Sequence, residues 1–147
     1  MPYSLPVFPL VFFLVSIPLV LEDLATLSVP TWKLFVAMGV LVALRLLLGQ
    51  SDLYFQLALS SGALTLGTLV LVLVPSSLGE ADVIYIAGLA WLVSFWGLLL
   101  AVGMACVLVG ANVLVTTACR RSEPNSEPVA FLPFLFLGGL AALVGGP

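Results

Sequence analysis

The stretch from Val83 to Cys119 is the feature that most constrains this chain. Folded as one straight helix rising 1.5 Å per residue, it would be roughly 55 Å long, far beyond the ~30 Å hydrocarbon core of a bilayer. A break is therefore expected near Ser94–Gly97, dividing a short helix over residues 83–94 from a longer one over 97–119. The ruler of about 20 apolar residues per crossing places further spans over residues 3–21, 31–48, 53–74 and 129–144. Polar breaks separate them at Glu22–Pro30, Gly49–Asp52, Pro75–Asp82 and Arg120–Pro128. Pro6, Pro9 and Pro18 fit the first span because neighbouring helices can satisfy the freed backbone groups. The expected fold is all-α, a polytopic membrane helix bundle of about six transmembrane helices, forming a single domain over residues 1–147.

Composition agrees: with 63% of 147 residues hydrophobic and 7% charged, the chain lacks the polar surface a soluble domain needs. Its net charge of −3 comes from 7 acidic and 4 basic residues, with no basic face for nucleic acid. There is no histidine, and Cys106 and Cys119 form no CxxC pair, so zinc, Ser/His and Cys/His chemistry have no basis. No metal or cofactor is expected, and the cysteines read as packing residues. The first apolar run has no basic flank or small-residue cleavage site and is expected to be retained.

Six spans put the loops Glu22–Pro30, Pro75–Asp82 and Arg120–Pro128 on one side with Lys33, Arg120 and Arg121, the cytoplasmic side by the positive-inside rule. Arg45 then lies near the other face, where its stem can snorkel to the interface. Small residues at Gly62, Ala63, Gly67, Gly103 and Gly110 suit close helix packing. Trp32, Trp91 and Trp96 suit an interfacial belt.

Ionisable residues at a membrane boundary are few here, and two carry the chemistry. Asp23 follows the first span within LEDLATLSVP, and Asp82 opens the fourth within LGEADVIYIAG. Both fall at the cytoplasmic edge, so they can meet. Two carboxyl groups held close cannot both ionise easily, so one keeps its proton while the other does not. The ionised member can take a proton from water while the neutral member protonates a scissile carbonyl. The plainer reading makes each aspartate an interfacial helix cap, which is the role given to Asp52.

These patterns resemble the type IV prepilin peptidase family, which includes archaeal preflagellin peptidases. The family's first motif is an aspartate followed seven residues later by the proline of an Ile-Pro or Val-Pro pair, here Asp23 and Val29-Pro30. Its second is GxGD, here Gly79-Glu80-Ala81-Asp82, and a third feature appears as Pro133-Phe134-Leu135-Phe136-Leu137-Gly138. Ala81 stands where the family usually has a second glycine, and Ile84 where lysine is often found.

The resemblance implies a membrane-embedded aspartic endopeptidase that removes the leader of prepilin-like precursors at the cytoplasmic face of the inner membrane. Asp23 and Asp82 are the implied catalytic pair. Gly79, Ala81 and Pro30 support the site, and Glu22 and Glu80 are placed to attract a basic leader. Glu123 and Glu127 are assigned to loop solvation. Implied partners are the precursor, the bilayer, and pilus or secretion assembly components. The cysteine-rich N-terminal domain of the larger methylating members is not seen, so no N-methylation is expected. An inactive scaffold of the same fold is the alternative. A small transporter is the third class considered, with Asn112 among its few interior polar residues and an interhelical hydrogen bond as that residue's ordinary role.

Overall fold

A computed structural model describes residues 7–47, 52–74, 79–119 and 130–145. They form six helices: α1 Val7–Thr26, α2 Thr31–Leu47, α3 Leu53–Leu73, α4 Glu80–Leu92, α5 Phe95–Cys119 and α6 Leu132–Gly145. Three are long and apolar enough to cross a membrane, over Pro9–Thr26, Leu53–Leu73 and Phe95–Cys119.

The expected break is present two residues before its predicted place, and its cause is local. Val93 is extended at φ −119°, ψ 163°. Ser94 then caps α5: its hydroxyl accepts from the Gly97 N–H at 3.2 Å, and its carbonyl accepts from the Leu98 N–H at 2.8 Å. The first helix departs from expectation more. It runs through Thr26 rather than ending at Leu21, because Glu22, Leu24 and Ala25 are good helix formers that hydropathy alone scores as a break. Asp23 is consequently inside α1. The helix closes at Leu27, whose φ of 53° is left-handed and whose N–H returns to the Asp23 carbonyl at 2.8 Å.

The short α4 is the hub, packed on α2, α3, α5 and α6, while α1 lies against α2 and α6. Tyr85, Leu89 and Leu92 of α4 are buried with Phe12 of α1, Leu34 and Leu41 of α2, and Leu135 of α6. Phe12 stacks on Phe136 with centroids 5.8 Å apart. The Tyr85 hydroxyl donates to buried Ser16 at 3.2 Å, tying α4 to α1. On α3, the Ser60 hydroxyl donates to the Ala87 carbonyl at 3.0 Å.

Which small residues pack differs from expectation. Gly62, Gly103 and Gly110 have open space where a Cβ would stand, whereas Gly67 abuts Val83. The tightest approach is at Gly138, where a Cβ would strike the Ala101 backbone. Cys106, Cys119 and Asn112 also face outward instead of packing between helices. Arg45 is turned inward, donating to the Leu92 carbonyl at the end of α4. Asp52 occupies the N-cap position of α3 without a side-chain capping bond. Trp32 and Trp96 are exposed, whereas Trp91, expected in the same interfacial belt, is half-buried against the core. Arg120, Arg121, Glu123 and Glu127 lie outside the described residues.

Candidate active site

Asp82 sits in the first turn of α4, at the third helical position. Its Oδ2 accepts the Gly79 N–H at 3.0 Å, so the side chain reaches back to satisfy an amide that the helix leaves unpaired. That bond fixes the carboxyl group at the helix mouth. Asp23 approaches from the last turns of α1, and both residues are buried, at 8% and 9% exposure. The backbone of Leu132, opening α6, lies close to the Asp23 carboxyl, whose Oδ2 is buried with no hydrogen-bond partner. Three helices distant in sequence therefore meet at two carboxyl groups.

The two carboxyl groups lie within electrostatic reach of each other, and they differ in their partners: Asp82 accepts the Gly79 N–H, while Asp23 Oδ2 accepts nothing. No ion pair to Lys or Arg relieves either aspartate among the described residues; the one ion pair there joins Lys33 to Glu22. Of two carboxyl groups held near each other, one can keep its proton while its neighbour accepts one from water. No group of three His, Cys, Asp or Glu side chains placed to hold a metal occurs among the described residues.

The supporting residues divide. Gly79 is the N-cap of α4 and touches the site directly. Ala81 lies in the same turn, half-buried against the core. Leu27 is the only non-glycine with positive φ among the described residues, so alanine at position 81 meets no backbone conflict. Glu22 is bound by the Lys33 ammonium at 2.6 and 2.9 Å, which engages the charge assigned to attracting a leader. Glu80 is exposed beside the site. Pro30 is exposed just before α2, and its neighbour Val29 is buried in the core, so the pair sets the turn from α1 into α2. Ile84 is half-buried against the core and brings no cation.

The sequence reading missed the Leu132 backbone. Its one available clue was Pro133: proline is favoured at the start of a helix, where its missing N–H costs nothing. Also unanticipated was the Ser16–Tyr85 bond, although a serine and a tyrosine inside apolar spans need partners. No family model, curated protein or solved structure matches this chain.

Proposed function

We propose that the chain is a membrane-embedded aspartic endopeptidase whose substrates are prepilin-like precursors. The observation that carries this reading is that Asp23 and Asp82, 59 positions apart in the sequence, are two buried carboxyl groups within electrostatic reach of each other, with no ion pair to either among the described residues. In the proposed reaction the ionised carboxylate deprotonates water, the water oxygen attacks the scissile carbonyl, and the neutral carboxyl protonates the carbonyl oxygen. Collapse of the resulting diol expels the amine, which takes up a proton, and no metal or acyl-enzyme is required. All six helices cross the inner membrane in this reading, with the aspartates at the cytoplasmic face. The motifs around Asp23, Asp82 and Pro133 support it, as does their order along the chain.

The test is cleavage of a co-expressed prepilin-like precursor by the native chain, Asp23→Asn and Asp82→Asn, with the product N-terminus read by mass spectrometry. Loss of processing in both well-folded variants is expected. Equal processing by all three would remove the aspartates from the mechanism, and no processing of several precursors by the native chain would favour the inactive scaffold.

A further inference from the structure

Helices α5 and α6 run antiparallel in a register fixed at two points: Gly138 against the Ala101 backbone, and Gly97 within 3.6 Å of the Ala142 Cβ from where its own Cβ would stand. Continued in the same register, Leu132 comes level with Val107. Helix α5 runs on to Cys119, so roughly 18 Å of it projects past the start of α6 at 1.5 Å per residue. This is the end at which the Leu132 backbone meets Asp23.

The face of α5 that α6 covers is marked by Ala101 and Ala105, both fully buried. At helical spacing the same stripe continues through half-buried Leu108 and Val109 to exposed Asn112. Asn112 thus stands a little over one turn beyond Leu132, on the α5 stripe that faces α6, at the end of the bundle where Leu132 lies close to Asp23. Across the bundle, the contact between Gly67 and Val83 carries α3 past Asp82 in the same way, up to Leu73.

These projecting walls are apolar with few exceptions, and the exceptions are engaged. Thr68 donates to the Leu64 carbonyl, Thr116 to the Asn112 and Val113 carbonyls, and Thr117 to the Val113 carbonyl. Among the described residues of both walls, Asn112 alone has a polar side chain without a hydrogen bond. A peptide must be extended to be hydrolysed, and an extended segment exposes N–H and C=O groups that an apolar wall leaves unpaired. A carboxamide is suited to such a segment because it both donates and accepts.

We infer that Asn112 is a substrate-positioning residue, its carboxamide holding the backbone of the extended segment beside the scissile bond over Asp23 and Asp82. The inference rests on the peptidase reading and names a contact that the aspartates do not supply.

The test uses the full chain in lipid nanodiscs and a synthetic peptide: a short basic leader ending in glycine, then an apolar helix, with a fluorophore on the leader. Cleavage is followed with native Asp82, and binding by anisotropy in the Asp82→Asn background. Asn112→Leu is expected to raise KM and Kd about tenfold, the value of one hydrogen bond, with kcat changed by less than about threefold and the melting temperature unchanged. Asn112→Gln should recover part of the affinity. Unchanged KM and Kd in Asn112→Leu would overturn the inference, as would a lowered melting temperature, which would assign Asn112 to the fold. Peptide bound in an Asn112-dependent way but never cleaved would support the contact while removing the peptidase reading; peptide neither bound nor cleaved would overturn both.

Discussion

The two ends of α4 are handled in opposite ways. At its C-terminus, where unpaired carbonyls carry partial negative charge, the Arg45 guanidinium donates to Leu92, a cation placed where the helix favours one. At its N-terminus the first part of the same rule is followed, since Asp82 accepts the Gly79 N–H. A second buried carboxyl group, Asp23, then lies within electrostatic reach of it, with no Lys or Arg paired to either among the described residues. One end is relaxed and the other gathers like charge. A purely structural helix gains nothing from the second arrangement, so the contrast marks the end of α4 where the proposed chemistry would sit.

The largest effect expected is on catalysis. Removing either aspartate should lower precursor cleavage by 10³-fold or more, in keeping with two groups acting as a unit, measured as initial rates at equal amounts of folded protein.

Stability should divide the two ends as well. Asp82→Asn removes one of two neighbouring buried carboxyl groups and keeps an acceptor for the Gly79 N–H, so it should raise the melting temperature. Arg45→Met should instead cost about 2 kcal/mol, because it strips a charged donor from the Leu92 carbonyl. Thermal melts of the two variants make the comparison. The smallest effect belongs to Leu27, whose left-handed backbone ends α1 four residues after Asp23: Leu27→Gly should gain up to about 1 kcal/mol, and a loss would show that its partly exposed side chain matters more than its backbone.

Helix number, order and the break before α5 could be read from the sequence because length against bilayer thickness is a one-dimensional argument. The pairing of Asp23 with Asp82 was an expectation of the same kind, since the breaks Glu22–Pro30 and Pro75–Asp82 that hold them fall on one side. Faces were not legible. Helices α4 and α5 are apolar all round, so no periodicity tells that Ala101 and Ala105 face inward while Gly103 and Gly110 face out. Backbone groups were equally hidden: nothing in the Leu132 side chain announces that its main chain lies close to Asp23. The pairing of Glu22 with Lys33 depended on the left-handed turn at Leu27, which leucine does not advertise.

The shortness of α4 has a consequence for the lipid around it. Its 13 residues rise about 20 Å, against ~30 Å of hydrocarbon, while α3 and α5 are long enough to cross fully. On the proposed six-span reading, a membrane that conforms to the hub must thin or dimple there, bringing headgroups and water toward Asp82 instead of lifting Asp82 to them. Acyl-chain length then becomes a control on the site. Bilayers of short-chain lipids relieve the mismatch, and thick bilayers press hydrocarbon against the carboxyl pair, so the same chain should work faster in thin membranes than in thick ones.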